Sequence, residues 1–117
     1  MQFTEHDRAD ICVLTMGGSL LSEPEALRLR ESIYLLVEQR RRCVVVDLSG
    51  VTYINSLGLG AFVSAMMTMR RAGGDVRLAG IHADVMKLFT ITHLMKVFEI
   101  FTSVDDAVAS YAKPPAD

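Results

Sequence analysis

Asn55-Ser56-Leu57-Gly58-Leu59-Gly60 sets a polar pair and two glycines between apolar runs, a place where a side chain can do chemistry without being buried. An amide and a hydroxyl there suit the start of a helix, where a side-chain oxygen accepts from backbone donors that the first turn leaves unpaired. A serine at such a corner faces solvent and is reachable by another protein. Gly58-Leu59-Gly60 also has the opening of a dinucleotide-binding fingerprint. That fingerprint needs a third small residue three positions on, where this chain has Val63, and a turn directly after its strand, whereas ten residues separate Asp47 from Gly58. Nucleotide binding is the weaker reading of these glycines.

Other chemistry is hard to place. Cys12 and Cys43 sit inside apolar runs with no second Cys or His at a ligand spacing, so both read as buried reduced thiols rather than a disulfide or metal site. His6, His82 and His93 form no H-x-x-x-H pair. No phosphate-binding loop, zinc-protease or nucleophile-elbow motif occurs, and the acids show no arrangement that marks a catalytic pair. A binding module without catalytic activity, metal or cofactor is therefore expected. The 12 basic and 14 acidic side chains leave a formal charge of -2, with no basic excess for nucleic acid. Arg40-Arg41-Arg42 is expected to close a helix, facing the negative end of its dipole. Half the residues are hydrophobic, yet the longest weakly polar stretch, Ser56 to Met69, is shorter than the ~18 residues a spanning helix needs. The N-terminal residues have no basic segment followed by an apolar one, so no export signal is seen and the cytoplasm is expected.

The elements that must hold Asn55 and Ser56 can be read from periodicity. Phe3 to Arg8 and Ile11 to Met16 suggest a hairpin through Ala9-Asp10, with Gly17-Gly18 ending the second strand. Ser22 with Glu25 makes a capping box, Pro24 fits the first turn, and Ala26, Leu29, Ile33, Leu36 and Val37 recur at helical spacing. Cys43 to Leu48 is β-branched throughout, as in a central strand covered on both faces, and Val51 to Ile54 leads on to Asn55. The helix after it buries Leu59, Phe62, Val63, Met66 and Met69 or Met67, and Gly73-Gly74 stops it. Val76, Leu78 and Ile81 predict a strand, Ala83 to Leu94 a short helix, and Val97 to Phe101 a last strand. Ser103 with Asp106 caps a final helix through Tyr111. The predicted core contains Leu29, Ile33, Leu36, Phe62, Val63, Met66, Leu78, Leu88 and Phe89. This alternation implies a single α/β domain over residues 1–112, a mixed, largely parallel sheet of about four to five strands with about four helices on it. Lys113 to Asp117 reads as a flexible tail.

The run Asp47-Leu48-Ser49-Gly50-Val51-Thr52-Tyr53-Ile54-Asn55-Ser56-Leu57-Gly58-Leu59-Gly60 resembles the signature of the STAS domain in bacterial anti-sigma-factor antagonists: Asp-Leu-Ser, a short apolar segment, then Asp-Ser-Ser-Gly-Leu. The element order, Gly73-Gly74-Asp75 before the next strand and the Val97 to Phe101 ending suit that family too, so the resemblance spans most of the chain. It implies a regulatory binding module, monomeric or weakly dimeric. Its unmodified form would bind an anti-sigma factor that is also a serine kinase and so free a sigma factor. Phosphorylation of the serine after the acid, Ser56 here, would switch binding off, and a serine phosphatase would restore it. The partner surface implied is Asn55, Ser56, Leu57 and Gly58, with Ser22 before the first helix. Asn55 replaces the family's usual Asp, Leu57 its frequent second Ser, and the Ser19-Leu20-Leu21-Ser22 loop lacks the acid that many relatives carry. The same fold admits a second role: an accessory subunit of a transport complex, for example in lipid ABC transport, docked permanently and never phosphorylated. A small nucleotide-binding protein is the third reading.

Overall fold

In the computed structural model, which describes residues 2–20 and 23–112, strands and helices alternate after an initial hairpin. Strands β1 (Gln2–Arg8) and β2 (Ile11–Leu20) are followed by α1 (Glu23–Glu38), β3 (Cys43–Ile54), α2 (Ser56–Arg71), β4 (Asp75–Ala79) and α3 (Ala83–Ile91). A 3-10 turn at Leu94–Lys96, strand β5 (Ile100–Phe101) and α4 (Val104–Ala112) complete the chain. The five strands lie in chain order, β1 antiparallel to β2 and the other neighbours parallel.

This order dictates the layers. Right-handed crossovers that step in one direction across a sheet leave their helices on one face, and α1, α2 and α3 do share one core. Leu29, Ile33 and Leu36 of α1, Phe62, Met66 and Met69 of α2, and Val85 and Phe89 of α3 pack there on Leu14, Val46 and Leu78. Alternate strand residues, Ile11, Val13, Val45 and Ala79, point to the other face. There α4, which follows the last strand and so is bound by no crossover rule, covers them with Ala107, Val104, Val108 and Tyr111. All nine residues predicted for the core lie in or against it, Val63 and Leu88 being only partly buried.

Several expectations are corrected. Gly17-Gly18 does not end β2, which runs on to Leu20 beside β3 through register shifts at Thr15/Gly17 and Gly18/Ser19. The glycines act as a bulge: Gly18 has φ 86, and a Cβ on Gly50 would come within 3.2 Å of both the Gly17 Cα and the Met16 carbonyl oxygen. Cys43–Leu48 and Val51–Ile54 are consequently one strand of 12 residues. Because β4 pairs only with Cys43 to Asp47, the second half of β3 extends past the sheet as a two-stranded ribbon with β2. Asn55 follows at its tip.

The arginine run does not cap α1, which ends at Glu38 with no basic residue in its last turn. Arg40 turns the chain with φ 60, the Arg41 guanidinium pairs with Asp7 at 2.8 Å, and Arg42 Nε donates to the Ala72 carbonyl at 2.8 Å. These side chains tie the hairpin and the end of α2 to the start of β3. Ile81 lies beyond β4, and α3 stops at Ile91, its end marked by left-handed His93. Val97 to Glu99 are not strand: the Phe98 N–H bonds to the Leu94 carbonyl, and its ring packs edge-on against Phe89 with centroids 5.9 Å apart. Filling the core under α3 shortens β5 to two residues. The expected cap of α4 is present, Ser103 Oγ accepting from the Asp106 N–H at 3.1 Å. Ser22 and the tail 113–117 lie outside the described residues.

Candidate functional site

Ser56 is the first residue of α2 and its side chain is exposed. Asn55 before it has extended backbone (φ -110, ψ -175), so its side chain can turn back over the helix start, and its Oδ1 accepts from the Gly58 N–H at 3.0 Å. The Asn55 carbonyl accepts from the Leu59 N–H at 2.9 Å, beginning the helical pattern. The cap is therefore Asn55, and the Ser56 hydroxyl is left over: it bonds to no described residue. Leu57, 44% exposed, projects beside it, while Gly58 is buried against the core. The structure thus brings Asn55, Ser56, Leu57 and Gly58 together at one corner.

Two further aliphatic hydroxyls stand earlier on β3. Ser49 and Thr52 are exposed as well, but both lie within the strand. The Ser49 N–H donates to Asp47 Oδ1 at 3.0 Å, its carbonyl meets the His82 ring Nε2, and Gly80 lies against it so closely that a Cβ there would be 3.1 Å from the Ser49 Cβ. Ser49 is hemmed by its neighbours. Ser56 is not.

Among the described residues no hydrogen bond or ion pair reaches the Ser56 hydroxyl. Resolved pKa displacements fall at the opposite end of the sheet, where the parallel strands begin. There burial pushes the Cys12 thiol up to about 12, helped by Glu5, and burial also raises Cys43. Burial likewise raises Tyr111, with Asp75 adding to it. Among the described residues no group of three His, Cys, Asp or Glu side chains could hold a metal, and no helix is long and apolar enough to cross a membrane.

Between α1 and α2 a groove of about 200 Å³ opens next to Ser56 and Leu57, and Arg30 of α1 lines its other wall. Arg30 escaped the sequence reading because it looks like one more charge on the outer side of α1. Its spacing carried a signal: it lies one turn after Ala26, which faces the core and lines the same groove.

With this geometry in hand, the chain can be set beside known proteins. Residues 1–107 match the STAS domain. The chain belongs to the STAS-domain family. It is 31% identical over 100 residues to the anti-sigma-B factor antagonist of Listeria monocytogenes, covering 86% of each chain. Its fold is that of a putative anti-sigma factor antagonist from Thermotoga maritima, with a TM-score of 0.87 at 19% identity and 95% of each chain covered. The Bacillus cell fate determinant SpoIIAA in its phosphorylated form also superposes, with a TM-score of 0.74 at 15% identity over 94% of this STAS chain and 99% of that one.

Proposed function

We propose that this STAS protein is an anti-sigma-factor antagonist that works by partner switching. Its unphosphorylated form binds an anti-sigma factor that is also a serine kinase, releasing a sigma factor, and phosphorylation of Ser56 ends the binding. A serine phosphatase resets the switch, and the protein acts in the cytoplasm as a binding module rather than an enzyme. The observation that carries this reading is the Ser56 hydroxyl, exposed on the first turn of α2 beside a cap that has already satisfied the Gly58 donor. The antagonist named for Listeria supports the class of partner, and the phosphorylated state named for SpoIIAA supports a modification compatible with this fold.

The chemistry follows from the place. The Ser56 oxygen attacks the γ-phosphorus of kinase-bound ATP, a new P–O bond forms, the bond to ADP breaks and the hydroxyl proton is released. The product carries about -1.5 to -2 charge at neutral pH, set where the positive end of a helix dipole tolerates it. The fold therefore survives modification, and the effect is felt by the partner. Two opposed like charges ~4 Å apart cost about 4 kcal/mol at an effective dielectric of 20, whereas a tenfold loss of affinity needs only ~1.4 kcal/mol. One phosphate is enough to switch binding.

Incubation with ATP and the cognate kinase, read by intact mass, is expected to add a single phosphate to the wild type and none to Ser56→Ala. Phosphate retained by that variant, on Ser49 or Thr52, overturns the assignment. Pull-down of a transporter ATPase in place of a kinase-like anti-sigma factor overturns the reading as a whole.

A further inference from the structure

Among the described residues the groove between α1 and α2 is lined by one charged side chain. Arg30 lines it from α1 and Ser56 from the first turn of α2, with Gly60, Ala61 and Ser64 along the α2 side. A Cβ on Gly60 would meet nothing within 4 Å, so the groove is open space rather than packed interior. Arg30 is exposed and makes no hydrogen bond or ion pair with any described residue. Of the other exposed arginines, Arg8 is held by Asp105, Arg42 by the Ala72 carbonyl and Arg70 by Asp75, whereas Arg40 and Arg71 are unengaged among the described residues but do not line this groove. An unpaired guanidinium facing a groove whose other wall carries an acceptor serine has the chemistry to receive a phosphate, because its planar fork matches two phosphate oxygens at once.

We infer that Arg30 is the intramolecular counter-ion of phosphorylated Ser56: the phosphate folds over the groove, takes the Arg30 guanidinium and bridges α1 to α2. This rests on Ser56 being the modified serine. Phosphorylation then changes the corner twice over, adding an anion and withdrawing a cation that the unmodified protein presents to an acidic group of its partner. It also covers the apolar groove wall formed by Ala61. The helices need not move, since both groups already border the same cleft.

The test places the phosphate without a kinase, by genetically encoding phosphoserine at position 56 of the full chain, and follows its second ionisation by phosphorus NMR. A phosphoserine free of neighbours titrates near pH 6. Pairing with Arg30 favours the dianion, so the wild type should titrate about half a unit below the Arg30→Gln variant, Arg30→Lys should fall between them, and 1 M salt should erase the difference. Arg28→Gln, on the same helix, and Lys87→Gln, on α3, should titrate as the wild type does. Circular dichroism checks that each variant is folded, which removal of an exposed helical side chain should not disturb. Identical titration of wild type and Arg30→Gln overturns the pairing, as does a shift that follows Arg28 instead. Neither result touches the assignment of Ser56. Conversely, a kinase that ignores Ser56 defeats the partner-switching reading while leaving the encoded phosphate and its arginine measurable.

Discussion

Asn55 and Ser56 divide between them two tasks that one residue often shares. Asn55 caps, Ser56 is free, and their variants should separate stability from binding. Asn55→Ala removes the oxygen that holds the Gly58 N–H and should cost about 1 kcal/mol of unfolding free energy by denaturant titration. Asn55→Asp keeps that acceptor and should leave stability within ~0.5 kcal/mol. Against one purified anti-sigma factor, calorimetry should find that Ser56→Asp weakens binding much more than Asn55→Asp does, the latter changing affinity by less than about tenfold because an exposed charge pair is worth at most ~1 kcal/mol. Equal and negligible effects of both place the interface elsewhere. This pair is legible in the sequence because a polar residue between a β-branched run and an apolar helical stripe has few reasons to be there. Arg30 is not, since a charge on the exposed side of a helix is ordinary and only the packing of α1 on α2 reveals what it borders.

Helices and strands with strong periodicity were the readable part of the fold, and positions governed by contacts distant in sequence were the unreadable part. Phe62 recurs at helical spacing with Leu59, Met66 and Met69, and it is fully buried beneath α2. Phe62→Ala should therefore cost about 3–5 kcal/mol, enough to unfold a marginal domain; a loss below ~1 kcal/mol, read from the urea midpoint, would contradict this packing. Gly17-Gly18 misleads for the opposite reason. Local propensity says that a glycine pair breaks a strand, yet the approach of Gly50 to Gly17 keeps the two strands together through a bulge. Gly74 obeys a similar logic at the other end of β3, where an added Cβ would lie 2.2 Å from the Arg42 carbonyl oxygen, a backbone atom that cannot swing aside. Gly74→Ala should cost about 1–3 kcal/mol and shift the pairing of β3 with β4, visible as faster hydrogen exchange at the Asp75 N–H, which now bonds the Arg42 carbonyl.

The two ends of the sheet have opposite chemistry, and the difference yields a pH dependence. At the end carrying Ser56 the side chains of Ser56 and Leu57 are exposed. At the other end Tyr111 of α4 ties together the starts of β3 and β4: its hydroxyl accepts from the Val44 N–H at 3.2 Å and shares its proton between the carbonyls of Val44 at 2.7 Å and Asp75 at 2.9 Å. The Arg77 guanidinium lies 3.9 Å over its ring and is held by Asp75 and Ser110. Burial, with Asp75 adding to it, raises the Tyr111 pKa, and burial with Glu5 pushes Cys12 up to about 12 from an ordinary 9.0. The folded protein thus keeps both protons where the unfolded chain releases them, the thiol first and the phenol from about pH 10. Over that window the unfolded state binds fewer protons, so stability is complete below about pH 9 and falls as pH rises through the folded values. Asp7 acts on the acid side: the hydrogen bond from Arg41 lowers its pKa, so its small contribution is present at neutral pH and is lost as pH falls below the ordinary carboxylate range. Urea midpoints measured from pH 7 to 11 should therefore decline at the alkaline end, and Tyr111→Phe should flatten that decline while lowering the unfolding free energy at pH 7 by about 1–3 kcal/mol, because the Val44 and Asp75 backbone groups lose their partner. An alkaline slope unchanged in Tyr111→Phe would assign the loss to the two thiols, Cys12 and Cys43, whose pKa values burial also raises. Ser56 lies at the far end of the sheet, so the protein with phosphoserine encoded there should show the same alkaline slope as the wild type.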